Sequence, residues 1–220
     1  MNPEAVQKYC ALMAEIKRRT AVIDGFTDGM AHALYKATTI ESIYLQFRRV
    51  LELIALGSLV ANKDAFSRVH QDFAKYWNAE LLVKDMERLN PGFYPRPIIQ
   101  KPSTPPGVKM EWLERQDDYL TRDDLIKLYK KCGAIMHSGN PYGSQVNLAH
   151  YEGKVGYWRE RVVNLLNSHL ITLVNDPNLY LIQMGANNAH PTYTPFAPRQ
   201  EPEQEYQAGP VNWSQPSGSE

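Results

Sequence analysis

The hydrophobic pattern of the chain is strongest between residues 38 and 62, where apolar side chains recur every three and four residues. This is the period of a helix with one buried face, and further leucines and valines extend that face around most of the circumference. Thr38 and Glu41 have the spacing of a capping box, in which a hydroxyl and a carboxylate satisfy amide groups of the first turn. The pattern therefore predicts a central helix that begins at Thr38 and has neighbours on several sides.

The same period predicts further helices on both sides of this central helix. They are expected at residues 3–25, 29–37, 64–77, 78–89, 121–137 and 155–173. Asn78 would cap one of them, and Thr121 with Asp124 would form a second capping box. His169 falls in the apolar stripe of the last helix, where we expect a hydrogen-bonded core side chain rather than a ligand.

Two segments break the helical pattern. Prolines are concentrated between Pro91 and Pro106, and a helix does not tolerate that density. Residues 91–120 are predicted either as a β-hairpin or as a proline-stiffened loop over the helices, and the sequence leaves both alternatives open. From residue 189 onwards the chain is rich in Pro, Gln, Glu and Ser, with too few apolar residues to fold alone. This composition predicts a disordered tail.

Together these patterns predict an all-α helical bundle with a small extended or β insert and a disordered C-terminal tail. One domain would span residues 1–188, including the insert at 91–120, and a flexible polar tail would span 189–220. Residues 179–184 would add one short strand. The length of 220 residues suits a single domain with appendages.

Composition narrows the classes of function. The chain has 24 basic and 24 acidic residues, so its formal net charge is zero, which disfavours a generally basic nucleic-acid binder but allows a local basic patch. Cys10 and Cys132 are predicted to be buried thiols rather than a disulfide, and no residues have the spacing of a metal site. No apolar run has membrane-spanning length and no signal peptide is recognisable, which predicts a cytoplasmic protein that does not bind membranes.

The segment from Lys130 to His137 carries the most specific candidate chemistry. On an ideal helix these two residues lie two turns apart on nearly the same side, next to the buried stripe. Gly133 falls between them and leaves room for another backbone or a substrate. A histidine beside a cation suits proton transfer at a phosphodiester, whereas a histidine that caps the helix end is the structural alternative.

An all-α bundle whose late helix carries a basic residue, several spacer residues and a histidine resembles the HEPN superfamily. Many members are metal-independent ribonucleases of toxin–antitoxin and antiphage systems, with a motif of Arg, four to six residues, then His. Lys130 followed by six residues, or Lys131 followed by five, fits the spacing before His137. Lysine takes the place of the family's arginine here, and it is a poorer planar clamp for phosphate.

This resemblance implies a mechanism that needs no cofactor. His137 would assist attack of a ribose 2′-hydroxyl on the adjacent phosphate, and Lys130 or Lys131 would stabilise the phosphate charge. It also implies a site formed across a homodimer.

Other charged residues are candidates for RNA contact. Arg48, Arg49 and Glu52 are on the central helix and would line the same cleft, although an ion pair between Arg48 and Glu52 on a solvated face is the alternative. Arg159 and Arg161 follow Trp158, and two arginines beside an aromatic residue suit RNA stacking and phosphate contact. A salt-bridged helix face would also explain them.

Two functions follow from these observations. The first is an HEPN-like protein that binds RNA or cleaves it as an endoribonuclease in bacterial stress or antiphage defence. The second is a non-catalytic helical subunit that docks on a protein partner through the insert and the tail. The neutral charge and the missing arginine favour the second, whereas the order of the helices and the position of His137 favour the first.

Overall fold

The computed structural model describes residues 3–63, 78–103, 110–137, 142, 145–186 and 189–198, and it combines helices with an antiparallel sheet. The helices are α1 (Pro3–Thr27), α2 (Lys36–Ala61), α3 (Ala79–Leu89), α4 (Arg122–Ile135), α5 (Leu148–Glu152) and α6 (Val155–Leu166). The strands are β1 (Arg96–Pro102), β2 (Met110–Glu114), β3 (Ser168–Thr172), β4 (Leu179–Gln183) and β5 (Thr192–Phe196). The prediction of an all-α bundle is therefore wrong, because the chain has a mixed α/β fold.

The central position of α2 is confirmed. This helix packs against α1, α3, α4 and α5, and Phe47, Val50 and Leu51 are fully buried. Apolar side chains on most of its circumference explain this position, because each neighbouring helix covers a different part of the surface.

The predicted start of α2 is wrong. The helix begins at Lys36, and the preceding residue, Tyr35, makes no side-chain cap. Thr38 lies inside the first turn, where its hydroxyl donates to the carbonyl oxygens of Ala33 and Tyr35 rather than forming a capping box with Glu41. Residues 28–35 form a loop and not the short helix expected at 29–37.

The predicted caps of α3 and α4 are confirmed. The side chain of Asn78 accepts hydrogen bonds from two amides of the first turn of α3. Thr121 and Asp124 form a reciprocal capping box at the start of α4. The helix expected at 64–77 lies outside the described residues, as does the stop signal at 138–141.

The sheet has the strand order β2-β1-β3-β4-β5, and every neighbouring pair is antiparallel. Strands β1 and β2 pair with each other, so residues 91–120 contain the extended pair that was one of the two alternatives. Strand β1 pairs with β3 at only two positions, one of them Pro97 opposite His169. Proline has no amide hydrogen to donate, which limits this ladder.

The two faces of the sheet have different apolar clusters. Side chains alternate between the faces of a strand, so His169, Ile171 and Tyr180 point toward the helices. On the outer face a second, smaller cluster is formed by Ile98, Leu170 and Leu181, with Trp112 and Leu179 packed against it. The sheet is therefore covered by helices on one side and by its own side chains on the other.

The prediction of one helix from residue 155 to 173 is wrong beyond Leu166, because Ser168–Thr172 is strand β3. This strand has buried residues on both faces, so its sequence lacks the apolar–polar alternation that marks a half-buried strand. Its apolar residues continue the helical stripe of α6 in sequence. His169 is nevertheless buried and hydrogen-bonded, as predicted.

The structure has one C-terminal strand where the sequence predicted a strand and another where it predicted a flexible tail. Strand β4 confirms the short strand expected at 179–184. Strand β5 lies within the segment predicted as a flexible tail and pairs with β4 along its whole length. It is an edge strand that contains Pro195 and exposed threonines, and such a composition is tolerated at an edge. Residues 199–220 of the predicted tail lie outside the described residues.

Two further predictions concern the class of protein. Cys10 and Cys132 are both free thiols, as predicted, but only Cys132 is buried and Cys10 is half-buried. Across the described residues, no helix combines the length and the apolar character that crossing a bilayer requires.

Candidate functional site

The predicted catalytic residues lie at the C-terminal half of α4. Lys130 is 63% exposed, Lys131 is half-buried, and His137 is exposed just after the C-cap residue Met136. The side chains of Lys131 and His137 make no hydrogen bond or ion pair within the described part of the chain. Both side chains are thus accessible to a ligand.

Helix α2 runs antiparallel to α4 beside these residues. The hydroxyl of Tyr129 lies 3.5 Å from Oε1 of Glu52, and Arg48, one turn earlier in α2, reaches Gly133, one turn later in α4. This register places Arg48 next to the last turns of α4. We call Arg48, Lys130, Gly133 and His137 the α4 site. Lys131 lies two residues before Gly133 and therefore on the other side of the helix.

The guanidinium of Arg48 is held by two partners. Its Nη2 donates to the Tyr129 hydroxyl over 2.8 Å, and its Nε lies 3.2 Å from Oε1 of Glu52. Its Cζ is also 4.3 Å from the centroid of the Tyr129 ring, which adds a cation–π contact. The third nitrogen, Nη1, has no hydrogen-bond partner among the described residues, although the side chain is only 22% exposed.

Gly133 is the neighbour of this third nitrogen. A Cβ built on Gly133 would lie 3.5 Å from Arg48 Nη1, an ordinary contact, and would meet no other described atom within 4 Å outside its own helix and chain neighbours. Its φ is not positive, so the backbone does not require glycine. Glycine inside a helix costs up to about 1 kcal/mol relative to alanine, and neither packing nor backbone geometry explains that cost here.

Gly133 lies in the last turn of α4, and Tyr129 precedes it by one turn on the same side of the helix. Arg48 therefore lies beside the last turn of α4. The helix ends at Ile135, so His137 follows its last residue by two positions and lies just beyond the C-cap.

Two carboxylates near the α4 site are each shared by two cations. Glu52 pairs with Arg48 and Arg49, the latter over 3.0 Å, and the predicted pairing of Arg48 with Glu52 is confirmed. Because one carboxylate faces two arginines, this group keeps one net positive charge.

Helix α3 supplies the second shared carboxylate. Glu80 lies 2.7 Å from Lys84 and 3.1 Å from Lys130. Hydrogen bonds, first from Lys84 and then from Lys130, hold the pKa of the Glu80 carboxyl below its usual value. This group also keeps one net positive charge, so a locally basic surface exists on a protein whose formal net charge is zero.

The structure does not bring Arg159 and Arg161 to the α4 site. Arg159 makes a bidentate pair with Asp24 of α1, with N–O distances of 2.8 and 2.7 Å. Arg161 pairs with Asp124 over 3.1 Å, at the N-terminal end of α4 and thus at the opposite end from His137. Both arginines are half-buried and bound to carboxylates, which agrees with the salt-bridged face that was the alternative.

Sequence reasoning missed the contribution of α3 and Tyr129. Glu80 and Lys84 have the i, i+4 spacing of a helical ion pair, which is a recognisable signal. That Lys130 shares this carboxylate depends on how α3 packs on α4, which the spacing alone does not specify. Tyr129 belongs to the buried stripe of α4, and only the fold places its hydroxyl between Arg48 and Glu52.

A metal centre is not assembled in the part of the chain that the structure describes, where no three His, Cys, Asp or Glu side chains converge. Comparisons with known proteins give no further guide: no family model, curated protein or solved structure matches the chain significantly. The function therefore has to be inferred from the residues of the site.

Proposed function

We propose that the chain acts on RNA, as the HEPN resemblance implies, and that the α4 site holds and cleaves the phosphodiester without a metal ion. One observation supports this most directly. His137 is exposed and has no partner among the described residues, and it follows a helix that carries Lys130 and contacts the guanidinium of Arg48 through Tyr129. A proton-transfer group beside cations is what such chemistry requires.

The reaction would be an internal transfer of the phosphoryl group. The ribose 2′-hydroxyl attacks the adjacent phosphorus while His137 accepts its proton. The bond from phosphorus to the 5′-oxygen of the next nucleotide breaks, and that oxygen takes a proton from water, while His137 releases to water the proton that it accepted. The products are a 2′,3′-cyclic phosphate and a 5′-hydroxyl, and the nearby cations offset the negative charge that develops on the phosphate.

The proposal rests on the α4 site rather than on the whole architecture. The all-α architecture that was part of the HEPN resemblance is contradicted by the five-stranded sheet, so only the spacing of the basic residues and His137 supports the resemblance. If the resemblance extends to assembly, the working form is a homodimer in a bacterial stress or antiphage response.

A second candidate function is docking on a protein partner without catalysis. The loop between α1 and α2 favours it, because Leu34 has a φ of 65° and is 92% exposed. A bulky residue in the left-handed region costs of order 1–3 kcal/mol, and nothing in the described residues packs on this side chain to offset it. Met30 and Tyr35 are exposed beside it, so the loop presents three large apolar side chains.

One experiment distinguishes the two functions. Purified protein is incubated with labelled single-stranded RNA in EDTA, and the products are tested for cyclic-phosphate ends. RNA binding is measured in parallel at low salt. Cleavage with cyclic-phosphate ends supports the RNA chemistry, whereas a protein that neither cuts nor binds RNA would rule it out and leave the docking function.

A further inference from the structure

We infer that Nη1 of Arg48 is the donor that binds the RNA phosphate in the α4 site, and that Gly133 keeps this nitrogen accessible. This role depends on the proposed RNA chemistry and makes it more specific. It assigns the planar phosphate clamp to a residue of α2, whereas the spacing motif of α4 offers only lysines at Lys130 and Lys131.

The first support is the way in which Arg48 is held. Tyr129 and Glu52 together fix the plane of the guanidinium through Nη2, Nε and the ring contact. A cation that is already oriented loses little freedom when it binds an anion, and Arg can present its N–H groups to two oxygen atoms. The remaining nitrogen, Nη1, is the one that these two partners do not use.

The second support is Gly133 itself. Among the described residues a methyl group at this position fits sterically and would favour the helix, so no described contact requires glycine there. The one described contact that a Cβ would add is to Arg48 Nη1. Among the described contacts, having glycine rather than alanine here affects only the exposure of Arg48 Nη1 on its α4 side.

The third support is the position of His137. It is four residues after Gly133 and two positions beyond the last residue of α4, and its side chain is exposed. A phosphate that accepts from Arg48 Nη1 over Gly133 would lie beside the end of the helix that His137 follows. Lys130, on the same side of the helix, would add charge without the planar geometry.

A matched pair of glycine substitutions tests this role. Gly133 and Gly25 each lie two residues before the end of their helix, and a Cβ at Gly25 would meet nothing within 4 Å. We expect Gly133→Ala and Gly25→Ala both to raise the Tm. Only Gly133→Ala should weaken the binding of labelled single-stranded RNA at low salt, about tenfold, the usual effect of losing one hydrogen bond to a charged group.

The dependence of Kd on salt identifies the lost contact. Losing one phosphate contact on a single strand should reduce the slope of log Kd against log salt concentration by about 0.7. Arg48→Lys should cause a similar loss, because lysine cannot contact Glu52, Tyr129 and a phosphate from one planar group. Adding Gly133→Ala to Arg48→Lys should then weaken binding little further, because both changes remove the same contact.

The outcomes separate this role from the proposed function. If wild type binds RNA but Gly133→Ala binds it equally well and with the same salt slope, Arg48 Nη1 is not the phosphate donor and the RNA chemistry survives. A Gly133→Ala protein with a lower Tm than wild type would assign the glycine to packing and overturn its role in access. Wild-type protein that binds no RNA at low salt would overturn both.

Discussion

Tyr9 of α1 and His169 of β3 are joined by a buried hydrogen bond of 2.8 Å between the Tyr9 hydroxyl and His169 Nε2. The other ring nitrogen, Nδ1, lies 2.8 Å from the carbonyl oxygen of Leu166, which can only accept. Nδ1 must therefore carry the hydrogen, and Nε2 accepts from the tyrosine. The ring is fully buried, and burial disfavours its charged form, so the pKa of His169 is lowered to about 4.

This pKa predicts a loss of stability in mild acid. Between about pH 6.5 and pH 4 the unfolded chain takes up a proton at His169 while the folded chain does not. The free energy of unfolding should therefore fall as the pH is lowered through this window, by about 3 kcal/mol in total from this residue. Urea unfolding at several pH values from 7 to 4.5 measures the effect.

The control is His169→Gln, which removes the titrating group but keeps a polar side chain. The variant should be less stable than wild type at pH 7 and should lose less stability between pH 7 and pH 4.5. Equal losses in the two proteins would show that carboxylates, and not His169, cause the acid sensitivity.

A second prediction concerns the curvature of the sheet. Trp112 of β2 and Phe196 of β5 are on opposite edge strands, which a flat sheet would separate by roughly 19 Å, yet their ring centroids are 4.5 Å apart. The sheet must curl toward its outer face until its edges meet over the small cluster of Ile98, Leu170 and Leu181.

A double-mutant cycle with Trp112→Ala and Phe196→Ala should therefore give a coupling energy of about 0.5–1.5 kcal/mol. Thermal or urea unfolding of the four proteins provides the numbers. Leu113→Ala, at an exposed position of the same strand, should change the free energy of unfolding by no more than about 0.5 kcal/mol. A coupling near zero would mean that the two edges do not meet in solution.

How much of the fold the sequence predicts depends on how each segment is buried. Helices with one apolar stripe and capping residues, such as α3 and α4, are predicted closely, because the period and the caps are local signals. Strand β3 is missed because both of its faces are buried, which removes the alternation. Strand β5 is missed because an edge strand with Pro195 has little apolar content of its own.

The candidate site is predicted only in part, because some of its residues are neighbours in sequence and others are brought together by the fold. Lys130 lies in α4 and His137 follows two positions after its end, so the sequence alone places both near the C-terminal end of one helix. Arg48 is 85 residues before Gly133 in the numbering, and only the packing of α2 on α4 brings them together. The pairing of Arg159 with Asp24 likewise joins distant segments, and no local pattern indicates it.

A third prediction tests the central role of α2. Leu51 is fully buried in this helix, so Leu51→Asp would place an unpaired carboxylate in the core. The cost of several kcal/mol is a large part of a typical total stability of about 5–15 kcal/mol, and soluble expression should be lost. Leu45→Asp, at a partly exposed position of the same helix, should remain soluble. Soluble Leu51→Asp protein with an unchanged Tm would contradict the central position of α2.

The fourth prediction separates a catalytic His137 from a structural one. His137→Ala should lower the rate of metal-independent RNA cleavage about a hundredfold or more, because a positioned general base is lost. Its Tm and helical circular-dichroism signal should stay unchanged, since the exposed side chain has no partner among the described residues. His32→Ala, which removes another exposed histidine in the loop before α2, should leave both the rate and the Tm as in wild type.

Changes at Lys130 extend this test to the charge beside the histidine. Lys130→Ala should slow cleavage by removing charge near the phosphate, whereas Lys130→Arg should preserve or raise the rate if a bidentate contact can form. Because Lys130 also shares Glu80 with Lys84, the alanine variant should change the Tm little, as expected for an exposed ion pair. If His137→Ala instead lowers the Tm and leaves the cleavage rate per folded molecule unchanged, His137 caps the end of α4 and is not the general base.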